Sequence, residues 1–222
     1  MKYYAVRVGR NPGIYTTWPE CQDQVNGFSG AIFKSFTNKN DAEDFINGKT
    51  NIEAKPSIKE DPNRITAYVD GSYNQDTGYA GYGVYIKDGD SEYIFYDKFK
   101  LTAGGNNAEG EVTASLVAAK YAAERNKPIT IYFDHLGIQN WVDGTWKRNT
   151  PYTIGYHNEM NEMIRNGLDV KFCHTKGHSG ILGNEYVDRI AKYACNIFLS
   201  DADIRLLLQL KDATGFPVEL DF

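Results

Sequence analysis

Long apolar runs are missing from this 222-residue chain, and so is any excess of positive charge. No stretch approaches the ~20 apolar residues that cross a bilayer, and the alternating start Met1-Lys2-Tyr3-Tyr4-Ala5-Val6-Arg7-Val8 lacks the apolar core of a secretion signal. The expectation is a chain with neither an export signal nor a membrane partner. Cysteine is scarce as well. Cys21, Cys173 and Cys195 form an odd set without a framework spacing, which excludes a disulfide scaffold and points to reduced thiols in the cytoplasm. Cys173, His174 and His178 could suggest zinc, but strand alternation sends Cys173 and His174 to opposite faces. No internal repeat or low-complexity segment occurs. What is present is ordinary for a folded protein: 41% hydrophobic and 24% charged residues, on a length that suits one or two domains.

The net charge of −5 is unevenly spread. Residues 1–50 hold six basic and five acidic side chains, residues 64–196 fourteen and sixteen, and residues 197–222 two and five. The central region therefore has no strong basic footprint, and affinity for a polyanion would have to come from elsewhere. Residues 48–63 are polar, carry Pro56 and Pro62 and show no apolar period, which reads as a linker between a domain at 1–47 and a domain at 64–196. The first domain reads as strands over Tyr3–Val8, Ile14–Thr16 and Ala31–Phe36, with helices from about Pro19 and over Asp41–Ile46, the latter capped near Asn38 or Asn40. The second opens with three strands near 64–73, 79–87 and 91–101, separated by glycine-rich turns, an antiparallel meander. Helices at about 109–125, 135–143, 153–166 and 183–198 then alternate with strands at 129–133 and 170–174, giving a mixed sheet with helices on its faces. Beyond 197, Ser200 can cap a short helix through Leu206, Leu207, Leu208 and Leu210, which packs on the body or meets a second chain.

Four acids stand in this frame. Asp70 ends the apolar run Ile65–Val69, and Asp134 ends Ile129–Phe133. Ionised carboxylates at the ends of buried strands repel one another and are costly unless a cation compensates them. Oxygen-only ligands suit Mg²⁺, or Mn²⁺ in its place, better than Zn²⁺. On the first long helix, Glu111 shares a face with Ala114, Ser115 and Ala118, whereas Glu109 shares one with Thr113 and Lys120 and reads as a solvent-facing charge favoured by the helix N-terminus. Glu111 is the better ligand. Asp188 lies in the last helix of the second domain, one turn after Asn184 and Glu185. His178 sits in the glycine-bracketed loop Thr175–Gly180, where a histidine can move protons to or from a leaving group.

These residues resemble a known family. Tyr68-Val69-Asp70-Gly71-Ser72, Asn106-Asn107-Ala108-Glu109-Gly110-Glu111, Tyr132-Phe133-Asp134 and Lys176-Gly177-His178-Ser179-Gly180, followed by Asn184-Glu185 and Asp188, look like type 1 ribonuclease H across roughly 64–196. The resemblance implies an α/β fold with a mixed five-stranded sheet and flanking helices. It also implies two Mg²⁺ ions and endonucleolytic cutting of the RNA strand of RNA–DNA hybrids, leaving 5′-phosphate and 3′-hydroxyl ends. Asp70 would bridge both ions, Glu111 and Asp134 would complete one coordination sphere and Asp188 the other, and His178 would assist product departure. Groups near Gly71 and Ser72, with Asn107 and Glu111, would contact the 2′-hydroxyls that only the RNA strand carries. The first 47 residues carry a second resemblance, in Tyr3–Arg10, Gly13-Ile14-Tyr15, Thr17-Trp18, Cys21, Gln24-Val25 and Phe33-Lys34-Ser35-Phe36. They look like the small α+β hybrid-binding domain found ahead of some of these nucleases. It implies that Trp18 and Phe33 stack on deoxyribose and that Tyr4 and Lys34 help hold the backbone. Ser35 stands where some relatives have a second lysine. Trp141–Arg148 is short where some relatives carry a basic protrusion, which moves the expected grip on substrate to the N-terminal domain. The expected molecule is a monomer. The competing readings are a hybrid-binding protein without catalysis and a related integrase- or resolvase-like nuclease acting on DNA alone; the Asp70-Gly71-Ser72 and Lys176–Gly180 neighbourhoods disfavour the latter.

Overall fold

Alternating apolar positions in Tyr3–Val8 give β1, the central strand of a small antiparallel sheet ordered β2-β1-β3, with β2 at Gly13–Tyr15 and β3 at Ile32–Phe36. The computed structural model describes residues 2–28, 31–46, 61, 63–175 and 181–216, and the chain divides into two units, Met1–Ile58 and Lys59–Phe222. The expected linker at 48–63 falls almost wholly outside the described residues. In the first unit, α1 (Trp18–Val25) starts at Thr17, whose backbone N–H donates to the Glu20 carboxylate at 3.2 Å, closing the first turn. Asn38 is the residue at the start of α2 (Lys39–Ile46), its side chain accepting from the Asn40 N–H at 3.0 Å. Val6, Cys21 and Val25 form one small core, while Ala5 and Ala42 are fully buried and Phe36 meets Phe45.

The second unit is built on a five-stranded sheet ordered β6-β5-β4-β7-β8. Strands β4 (Ile65–Asn74), β5 (Tyr79–Asp88) and β6 (Ser91–Lys100) form the antiparallel meander, and β7 (Ile129–Phe133) and β8 (Val170–His174) continue it in parallel from β4. Helices α3 (Asn107–Glu124), α4 (Gly137–Val142) and α5 (Pro151–Arg165) cover one face. There Ala114, Ala118 and Ala122 of α3 pack against Ile65, Ala67, Ile129 and Ile131. Helices α6 (Leu182–Ala194) and α7 (Asp201–Thr214) lie against the other, where Tyr85 meets Tyr186, Val187, Ile190, Leu207 and Leu210. The segment after residue 197 thus packs on the body, and its helix is fourteen residues long rather than the short one expected. The mixed five-stranded sheet and the small α+β unit before it are those the sequence indicated.

Glycine sets how closely α3 and α6 approach the sheet. A Cβ on Gly71 would overlap the backbone of Gly110 and Glu111, and one on Gly110 would come within 2.7 Å of the Gly81 carbonyl. A Cβ on Gly83 would lie 2.6 Å from the Val187 carbonyl. Side chains at these positions would force the two helices outward. Their absence brings the first turns of α3 and the body of α6 to the acidic strand ends.

Candidate active site

Asp70 lies within β4, Glu111 in the second turn of α3, and Asp134 just past the end of β7. One carboxylate oxygen from each falls within 4.8 Å of the others. The backbone holds each in place. Gly71 N–H donates to Asp70 Oδ1 at 2.8 Å, and Asn106 caps α3 by accepting from the Ala108 N–H at 2.9 Å. The Asp134 carbonyl accepts from His174 Nε2 at 3.0 Å, and Thr175 donates through its N–H and its hydroxyl to the Phe133 carbonyl. His174 therefore supports the strand end, in line with its reading as a strand residue.

Burial pushes the Asp70 carboxyl up to about 7, with Asp134 and Asp188 adding like-charge repulsion against the hydrogen bonds from Glu111 and Gly71. Burial and the charge of Asp70 drive Glu111 upward too, the two carboxyls sharing a hydrogen bond. Among the described residues, Glu111 Oε2 is one of two buried side-chain atoms without a hydrogen-bond partner; the other is Asn184 Oδ1. An all-oxygen donor set, a carboxyl pair that shares a proton and an orphaned oxygen between them fit a hard divalent cation, which would replace the proton and satisfy the orphan.

Asp188 stands on α6 and lines the same cleft as Asp70, Glu111 and Asp134, outside the trio itself. Its Oδ2 accepts from Lys192 Nζ at 2.8 Å and Arg189 Nη1 at 3.1 Å. Gly71 and Asn107 also line the cleft. Ser72 turns its hydroxyl to the Cys195 thiol. His178 lies outside the described residues. Asn184, which the sequence placed one helical turn before Asp188, lines the cleft too. Two cleft residues were not singled out by the sequence, Arg189 and His135. The His135 imidazole is held toward the neutral form by burial, and its Nδ1 accepts from the Gly137 N–H at 3.1 Å.

One expectation is corrected. Glu109 is not solvent-facing: it is 4% exposed, and its carboxylate accepts from the Thr102 N–H at 3.1 Å. The loop ahead of α3 folds back over the helix start and takes Glu109 as its anchor. Glu111 remains the residue that meets Asp70.

In the first unit, Tyr4, Trp18 and Phe33 form a contiguous ring cluster, with centroids 5.7 Å and 5.9 Å apart along the series, and Trp18 and Phe33 are each 42% exposed. Lys34 is not part of this cluster. Alternation along β3 turns it from the face that carries Phe33, and its ammonium lies over the Phe36 ring.

Residues 2–46 match the family described as Ribonuclease H1 N-terminal domain, and residues 62–196 match the family described as RNase H. A curated human protein named Ribonuclease H1 is 27% identical over 255 residues, covering 86% of this chain and 88% of its own length. Ribonuclease H of Saccharomyces cerevisiae is 52% identical over 44 residues, 20% of this chain and 13% of that protein. The crystal structure of RNase H1 from Halobacterium salinarum aligns with a TM-score of 0.49 at 23% identity, covering 60% of this chain and 98% of that one. The RNase H match takes in more than half of the chain, including Asp70, Glu111, Asp134 and Asp188, and the chain belongs to the ribonuclease H family of nucleases.

Proposed function

We propose that the chain is an endoribonuclease that hydrolyses the RNA strand of RNA–DNA hybrids, with two Mg²⁺ ions, or Mn²⁺ in their place, held by Asp70, Glu111, Asp134 and Asp188. The observation that carries this reading is the convergence of three carboxylates within 4.8 Å around a buried, unpartnered Glu111 oxygen. Relatives named Ribonuclease H1, matched along 86% of the chain, support the substrate class. Bound there, the cations supply an activated water for in-line attack and charge compensation for the departing 3′-oxygen.

The residues of the chain decide which strand is cut. Asp70, oriented by the Gly71 N–H, would be held in common by the two cations. Asn107 and the backbone at Gly71 border the carboxylates, where a ribose 2′-hydroxyl can be hydrogen-bonded; deoxyribose offers no such group. His178 would exchange a proton with the leaving 3′-oxygen, so that the products carry 5′-phosphate and 3′-hydroxyl ends. Tyr4, Trp18 and Phe33 give the first unit a stacking surface for the sugars of the DNA strand, and Lys34 a phosphate contact from the opposite face of β3. We place the protein, with its three free thiols, in the reducing cytoplasm and expect a monomer.

The test is cleavage of end-labelled RNA–DNA hybrid, double-stranded RNA and double-stranded DNA in Mg²⁺ by the full chain and its Asp70→Asn variant. Cutting confined to the RNA of the hybrid, lost in the variant while hybrid binding persists, is expected. Binding without cutting at any Mg²⁺ or Mn²⁺ concentration, or equal cutting of the DNA duplex, would overturn the reading.

A further inference from the structure

Helix α7 lies beyond the region matched to the RNase H family, yet it reaches the acidic site through one guanidinium. Arg189 Nε donates to Asp203 Oδ1 at 2.9 Å, and Arg189 Nη1 meets Glu185 Oε2 at 2.5 Å and Asp188 Oδ2 at 3.1 Å. Asp203 is itself fixed: the Ser200 N–H and hydroxyl donate to its Oδ2 at 3.1 and 2.7 Å. Leu207 and Leu210 hold the rest of α7 against α6 and the sheet. The Arg189 and Asp203 side chains are 18% and 27% exposed, so their charges are only partly screened by solvent.

We propose that α7 positions the metal site from outside it, Asp203 sharing the Arg189 guanidinium and so weakening the cationic hold on Asp188 Oδ2, which Lys192 also contacts, in favour of a divalent cation. The inference rests on the reading of Asp188 as a metal ligand. Three carboxylates compete for one guanidinium. Without the charge of Asp203, Arg189 settles more fully on Asp188, and the cleft also loses a nearby negative charge. Both changes weaken cation binding, so the sign does not depend on which is larger. A helix that only covered the apolar face formed by Tyr85, Tyr186 and Ile190 would need its leucines, and the charge at 203 would be indifferent to the cation.

Calorimetric titration of Mn²⁺ into the full chain separates these cases. Asp203→Asn is expected to weaken Mn²⁺ binding roughly three- to tenfold, less than the ~10–100-fold of losing a direct outer partner of a ligand, because Asp203 reaches Asp188 only through Arg189. Asp203→Glu, which keeps the charge, should keep the parent affinity. In an Arg189→Gln background only the direct loss of the Asp203 charge remains, and Asp203→Asn should change affinity by less than about twofold. Unchanged Mn²⁺ affinity in Asp203→Asn, or the same loss with and without Arg189, overturns the proposal. Parent-like Mn²⁺ affinity in Asp188→Asn would instead overturn the ligand assignment beneath it, an outcome distinct from both.

Discussion

Asp70 and Glu111 hold their carboxyl protons well above the ordinary carboxylate range, Asp70 up to about 7, because burial disfavours two charges side by side. A raised folded-state value means that the fold keeps a proton which the unfolded chain releases above about 4. That contribution is fully present below the unfolded value and lost as pH rises through about 7. In EDTA, then, the stability of Asp70→Asn relative to the parent should grow between about pH 4 and 8, reaching on the order of 4 kcal/mol for a carboxyl raised from about 4 to about 7. Divalent cation should narrow the gap by stabilising the parent. Calorimetry across pH, with and without Mg²⁺, measures this, and a flat difference would show that the two carboxyls are not strained together. The same variant should have lost cleavage. A second comparison separates neighbouring acids. Glu111→Gln should lower hybrid cleavage by orders of magnitude with little change in fold. Glu109→Ala should cost about 1–3 kcal/mol of stability, since it leaves the Thr102 N–H unpaired beneath its loop. Loss of cleavage in Glu109→Ala with cleavage kept in Glu111→Gln would give the catalytic role to Glu109.

At the scale of the element, the strands carrying Asp70 and Asp134 could be read directly, because an apolar run ending in an acid is a local pattern; β7 and β8 have the expected bounds, Ile129–Phe133 and Val170–His174. Glu111 was legible from the small residues on its face. Glu109 was not, because what buries it is the loop at 102–105 folding back over α3, a contact outside helical periodicity. The link from Asp203 to Arg189 escaped for a related reason: it joins two helices across fourteen residues, at no repeat spacing. Asn184 was seen only as a neighbour of Asp188, since nothing local indicates that its oxygen is buried without a partner. For α7 the capping residue Ser200 marked the start, and Gly215 at φ 70° ends it in the left-handed conformation that stops a helix. Leu207 is fully buried there, so Leu207→Ala should destabilise the protein by roughly 2–5 kcal/mol. Unfolding in urea would show it, whereas a loss near zero would mean that α7 adds little to the fold.

Across the whole molecule, charge and aromatic surface are divided between the two units. The nuclease region has fourteen basic against sixteen acidic residues, so its attraction for a polyanion is weak, while the first unit exposes Trp18 and Phe33 beside Tyr4. Substrate capture should therefore reside largely in the first unit. Stacking on an aromatic side chain contributes ~1–3 kcal/mol by alanine substitution and depends little on salt, whereas one phosphate contact changes the slope of log affinity against log salt by about one. Trp18→Ala should weaken hybrid binding at all salt concentrations and reduce repeated cutting of one substrate, leaving single-turnover cleavage at saturating enzyme near the parent rate. Lys34→Ala should lower affinity mainly at low salt and flatten the salt dependence, its ammonium lying on the other face of β3 from the ring cluster. A chain beginning at Asn63 should still fold and cut, because the five-stranded sheet and both its helical layers lie within residues 65–216. It should bind hybrid more weakly than the full chain. Affinity and cleavage measured for both chains at two salt concentrations decide the matter: equal affinity at both would assign residues 2–46 a role other than holding the hybrid.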